Sequence, residues 1–196
     1  MCGRYQAWID DEELIGIIER EKRGNGIKYF RQNDVFPGSE MPLIYGSYST
    51  VRAHVSRWGF PTDFGGSDIS KKTAPNLIIN ARAETAAYKP MFREAFENSR
   101  ALVLASGYYE WSDGAKYRFY RNDGEPVLMA ALERVFGDER RYVIVTTEAI
   151  GTPSVIHDRM PVFVDKSEMR DWLYDADFAR QVLSRRVPCR LKSETA

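Results

Sequence analysis

The chain has 196 residues, 43% hydrophobic and 29% charged, values of an ordinary globular chain that exclude a disordered or fibrous one. Lysine plus arginine equals aspartate plus glutamate at 28 each, so no global positive field attracts nucleic acid and any such binding needs a local patch. No apolar run approaches the roughly 18 residues that cross a bilayer, and Cys2 and Cys189 are too few for a disulfide framework, so the expectation is a cytoplasmic protein in a reducing compartment, without a membrane partner.

In chain order, DDEELIGIIEREK (10–22) opens with acids that suit a helix start and sets Leu14, Ile15, Ile17 and Ile18 at helical spacing. The following GNGIKYFRQNDVFPGSEMP is crowded with glycine, asparagine and proline and reads as loop or short irregular strand. Short apolar or alternating runs then dominate: MPLIY, TVRAHVSRW, NLIIN, RALVLAS, GYYEW, AKYRFYR, PVLMAALE, RYVIVTT and PVFV, each read as a strand. YRNDGEPV (120–127) reads as the turn of an antiparallel hairpin, since Asn122, Asp123 and Gly124 tolerate turn backbone angles. Helices are expected over 83–98 and 167–183, the second with Met169, Trp172 and Leu173 on one face. The regular strand and helix alternation of a doubly wound sheet is missing. The expected fold is α+β, a mostly antiparallel, barrel-like sheet with flanking short helices, in a single domain over 1–196.

Four stretches carry reactive or polar residues where plain packing would suffice: MCGR, NARAET (80–85), GYYEW (107–111) and HDRMP (157–161). Each also has an ordinary structural reading. Asn80 can cap the helix behind it, and Glu110 can be a solvent-facing strand residue. His157 can be structural, Asp158 and Arg159 a surface ion pair, and Cys2 a small apolar residue under a strand end.

Cys2 also offers sharper chemistry. Removal of the initiator methionine before a small residue would leave an α-amine beside the thiol. Such an amine has an unperturbed pKa of about 7.7–8.0, so a useful fraction of it is neutral and nucleophilic at physiological pH. It can attack an aldehyde to give an imine, and the neighbouring thiol can then close a five-membered thiazolidine. That second step is intramolecular, with effective molarities on the order of 10⁵ M or more. Alternatively, Cys2 acts as a thiolate nucleophile served by a base such as His157. His54, His157, Cys2 and Cys189 lack the short spacings of zinc ligands, and no glycine-rich phosphate loop occurs, so no metal and no cofactor are expected.

Taken together and in this order, the four motifs resemble the SRAP (SOS-response-associated peptidase) family, over residues 1 to about 175. The WGF of 58–60, the KPMF after NARAET and the VTTEA before HDRMP strengthen the resemblance. It implies a monomer that binds single-stranded DNA containing an abasic site and links itself to the sugar aldehyde through the mature N-terminal cysteine. Carried over by residue, Cys2 would be the nucleophile. Glu110 would move protons during imine formation and removal of the methionine, Asn80 would orient the terminus or the opened sugar, and His157 would act as acid or base toward the ring oxygen. Arg82 and Arg159, with Arg4, would hold phosphates, and Trp58 would offer an aromatic surface to an unstacked base. The chain departs from the family in ALVLASGYYEW, where many members have a proline, and in FPTDFGG, where many have a second tryptophan. Two other readings compete: a cysteine-dependent peptidase acting on its own N-terminus or on added peptides, and a reversible binder of single-stranded DNA in which Cys2 is incidental.

Overall fold

The computed structural model describes residues 2–7, 12, 14, 16–18, 32–62, 77–185 and 191–196. In chain order the strands are β1 (Arg4–Ala7), β2 (Gln32–Val35), β3 (Glu40–Ser47), β4 (Thr50–Trp58), β5 (Phe60–Pro61), β6 (Leu77–Ile78), β7 (Asn80–Arg82), β8 (Arg100–Ala105), β9 (Gly107–Ser112), β10 (Ala115–Arg121), β11 (Val127–Phe136), β12 (Glu139–Glu148), β13 (Arg159–Pro161), β14 (Phe163–Val164) and β15 (Leu191–Thr195). Short helices α1 (Ala83–Ala86), α2 (Pro90–Asn98), α3 (Met169–Tyr174) and α4 (Ala176–Ser184) flank them. The described residues 12, 14 and 16–18 are helical, with Leu14, Ile17 and Ile18 buried as their spacing predicts. Ile15 and residues 19–31 lie outside the described residues, as does Cys189.

Strands β4, β3, β8, β11 and β12 pair in that order, and β12 also pairs with β4 and β11, which closes a five-stranded barrel. The fold is α+β with mostly antiparallel pairing. Alternate side chains of the central strands serve two different cores, as the two-residue period of a strand requires. Leu102, Leu104, Leu128, Ala130 and Leu132 join the helical residues Phe92, Phe96, Trp172 and Leu173. Ala101, Val103, Ala105, Met129 and Ala131 join Cys2, Tyr5, Trp58 and Tyr108. This two-sided burial explains why RALVLAS and PVLMAALE read as unbroken apolar runs.

A second sheet, in the order β15-β10-β9-β1-β2, brings the start of the chain to the barrel. Arg4 and Tyr5 of β1 lie opposite Tyr109 and Tyr108 of β9, so Cys2 arrives beside the far end of that strand. Gly107 permits the close approach of β9 to β10, since a Cβ there would sit 2.5 Å from the Phe119 carbonyl oxygen. On the barrel side, β7 runs parallel to β12 and sets Asn80 opposite Ile144 and Arg82 opposite Thr146.

Three sequence expectations need correction here. The turn at 122–124 exists, with Gly124 at positive φ, but it joins strands of different sheets: β10 pairs with β9 and β15, while β11 pairs with β8, β12 and β14. The half-buried pattern of β10 suits a one-sided sheet, whereas β11 is apolar on both faces and belongs in the barrel wall. The helix expected over 83–98 is split at Pro90, which starts α2 at its first turn. The helix expected over 167–183 is interrupted at Asp175, whose carboxylate accepts from the backbone amides of Asp177 and Phe178 and starts α4 anew.

Arg100 locks the helices to the barrel. It is buried, and its guanidinium donates to the carbonyl oxygens of Phe96 (2.6 Å) and Glu97 (3.1 Å) in α2 and of Trp172 (2.6 Å) and Leu173 (3.3 Å) in α3. One side chain thus satisfies the C-terminal carbonyls of two helices. Arg100→Ala strands these acceptors in a dry interior. It is expected to lower stability by about 2–4 kcal/mol in chemical denaturation, with Arg100→Lys recovering part of the loss.

Candidate active site

The site is assembled at the meeting of β1, β7, β9 and the 157–159 segment. Cys2 is fully buried, and its thiol donates weakly to the Arg4 carbonyl oxygen at 3.8 Å. Its own carbonyl oxygen accepts from Asn80 Nδ2 at 3.0 Å. Asn80 is in turn fixed through its neighbour: the Ile79 carbonyl oxygen accepts from Trp58 Nε1 at 3.0 Å and from the Ile144 amide at 3.1 Å. The other end of the amide, Asn80 Oδ1, is buried with no hydrogen-bond partner among the described residues. It is an acceptor oriented and waiting for a donor.

Glu110 leaves only 2% of its surface exposed, on β9 next to this terminus. Burial pushes its carboxyl pKa upward, partly opposed by nearby His157, whose Nε2 lies 4.0 Å from Glu110 Oε2. The Cys2 thiol is held far above its ordinary range, first by burial and then by the Glu110 charge. The floor is equally dry. Tyr5 and Tyr142 share a 2.8 Å hydrogen bond between buried hydroxyls, and both phenols are raised, chiefly by burial.

His157 is oriented by its own segment. Its Nδ1 lies 2.9 Å from the Arg159 backbone nitrogen, 3.3 Å from the Arg159 carbonyl oxygen and 3.0 Å from the exposed Asp158 carboxylate, which turns Nε2 toward Glu110.

Of the eight residues singled out in the sequence, Cys2, Asn80, Glu110 and His157 come together. Arg82 is exposed and lines an adjoining cavity with Asn80. Arg4 is half-buried, with its guanidinium 4.3 Å from the Phe36 ring centroid, 5.2 Å from that of Trp111, and Nη1 at 3.4 Å from Asp34. Two expectations are corrected. Trp58 is fully buried, stacked on Tyr142 and tilted against Tyr5, so it presents no face to an incoming base. Arg159 is committed internally, donating to both Glu84 carboxylate oxygens (2.6 and 2.9 Å) and to the Thr146 carbonyl oxygen (2.6 Å), so it braces the His157 segment.

The profile of the SOS response associated peptidase (SRAP) family matches residues 1–193. The chain belongs to this family. Among its SRAP relatives, abasic site processing protein YedK of Escherichia coli K12 is 32% identical over 187 residues, covering 88% of this chain and 79% of that protein. Abasic site processing protein HMCES of Xenopus tropicalis is 31% identical over 223 residues, covering 88% of this chain and 66% of that protein. A crystal structure of a Bordetella bronchiseptica protein aligns over 100% of this chain and 99% of its own with a TM-score of 0.73 at 25% identity. One from Bacteroides thetaiotaomicron aligns over 99% and 91% with a TM-score of 0.75 at 21% identity, a likeness of fold.

Two other aromatic rings of this SRAP chain are exposed near the site. Phe36 and Trp111 are 44% and 40% exposed and flank Arg4 at the edge of the site. Sequence reading had a signal for Trp111, since it follows Glu110 in a strand and so points to the opposite face. Phe36 had none, because its position depends on how β2 pairs with β1.

The direction of the Glu110 shift gives a stability test. A carboxyl whose folded pKa is raised costs nothing while protonated and destabilises the fold as pH rises through that folded value. Glu110→Gln is therefore expected to unfold at a higher urea concentration than the wild type near pH 8, with the gap closing as pH falls to about 4. A lower midpoint for the variant at pH 8 would show that the charged carboxylate stabilises the fold.

Proposed function

We propose that this protein processes abasic sites in single-stranded DNA by capturing the sugar aldehyde covalently through Cys2 once the initiator methionine has been removed. The observation that carries the reading is the Asn80 amide holding the Cys2 carbonyl beside Glu110 and His157. The names of the relatives agree with it.

The electrostatics order the steps. A thiol kept protonated by burial is a poor nucleophile, whereas an α-amine of ordinary pKa is partly neutral at pH 7–8. The amine therefore attacks first. His157, with its Nε2 directed toward Glu110, serves the ring oxygen as the sugar opens to the aldehyde. Amine addition gives a carbinolamine, and Glu110, held toward its protonated form, donates the proton that lets the hydroxyl leave as water. The sulfur then bonds to the imine carbon, and the thiol proton ends on nitrogen, so the thiazolidine forms without oxidant or cofactor. The unpartnered Asn80 Oδ1 is available to accept from a hydroxyl of the opened sugar.

Affinity for DNA rests on local groups, given 28 basic and 28 acidic residues. Exposed Arg82 supplies a phosphate contact, and Phe36 and Trp111 around Arg4 supply a stacking shelf. A protonated, fully buried thiol disfavours the competing reading of a thiolate peptidase acting on added peptides.

Incubation with a single-stranded oligonucleotide carrying one abasic site is expected to give a band that survives heating in denaturant. Cys2→Ala should abolish it, and Asn80→Ala or Glu110→Gln should slow it at least about tenfold, as loss of a general acid or a positioning bond does. Wild-type protein shown by intact mass to begin at Cys2, yet forming no such product, would overturn the reading.

A further inference from the structure

A cavity of about 790 Å³ opens beside Asn80 and Arg82, and apart from those two its lining residues have no part in the steps above. Its floor is apolar, made by Ile78, Pro90, Met91 and Phe92, and its rim carries Arg82, Lys89 and Arg134. The volume falls within the roughly 300–1,000 Å³ range of small-ligand sites. The cations differ in their commitments. Arg134 donates to the Met91 carbonyl oxygen at 3.1 Å and lies 3.5 Å from the Glu94 carboxylate, so its charge is largely offset and it shapes the wall. Arg82 and Lys89 are exposed and have no ion-pair partner among the described residues. Two exposed positive charges above an apolar floor, of which Arg82 also acts on the Glu84 carboxylate, match an anion joined to a flat apolar body.

We infer that this cavity is a base-binding site for the nucleotide next to the lesion, its nucleobase resting on Pro90, Met91 and Ile78 and its phosphate facing Lys89 and Arg82. The inference rests on the abasic-site reading above, because Asn80 joins the cavity to Cys2 and a strand whose sugar reaches Cys2 must continue past it. Contact with an apolar floor scales with the area covered, so a purine is held better than a pyrimidine, and a pyrimidine better than no base. The site would thus give the protein a preference for the sequence around a lesion that itself has no base to read.

The test measures initial capture rates at limiting DNA for oligonucleotides in which the residue directly 5′ or 3′ of the abasic site is adenine, thymine or a baseless tetrahydrofuran. The expected result is a graded fall on one side only, with a loss of roughly tenfold from adenine to tetrahydrofuran. Met91→Ala and Lys89→Glu should flatten that gradient while still capturing the tetrahydrofuran-flanked lesion. Equal wild-type rates for every neighbour, or a gradient that persists in both variants, would overturn the inference and leave abasic-site capture standing. No covalent product from any oligonucleotide would overturn capture itself, and this inference with it.

Discussion

A hydrogen bond from the Asn80 side chain to the Cys2 carbonyl oxygen joins the beginning of the chain to the barrel. Everything proposed for the site depends on it, because a chain terminus is ordinarily the least ordered part of a fold. The bond is possible because of two separate pairings. Antiparallel addition of β1 to β9 brings Cys2 inward, and parallel addition of β7 to β12 brings Asn80 up to meet it. The aromatic cluster of Tyr5, Trp58 and Tyr142 fills the space beneath.

Burial then sets the chemistry. The same dry surroundings that raise the Glu110 carboxyl also raise the Cys2 thiol, and the Glu110 charge raises the thiol further. Two groups that would compete to ionise in water are thereby held as proton carriers. His157 stands at the more exposed side of this pair, its ring direction determined by the backbone of Arg159, which is itself held by Glu84 and Thr146. The arginine thought to grip DNA instead orients the histidine.

Much of the barrel was legible because its strands alternate or run apolar in ways that depend only on local burial. TVRAHVSRW and AKYRFYR coincide with β4 and β10 residue for residue. The four motif residues were legible as reactive types out of place, and the family resemblance grouped them. What stayed hidden was non-local. Nothing near 120–127 says that the chain leaves one sheet for another there, since a turn has the same local chemistry whether or not its arms pair. Trp58 and Arg159 were misjudged for the same reason: residue type suggests stacking and phosphate contact, but exposure is decided by Tyr5, Tyr142 and Glu84, all distant in sequence. Arg100 gave no sign of its role, because its four acceptors exist only after two helices have ended beside it.

The buried sulfur of Cys2 has a further consequence for the life of the molecule. Peroxides and disulfides react with thiolates, not with thiols, and with sulfur they can reach. A sulfur that is kept uncharged and covered is shielded from the oxidants and small electrophiles around it. In the proposed capture, the packing that delays the sulfur's turn would also preserve it until a lesion arrives.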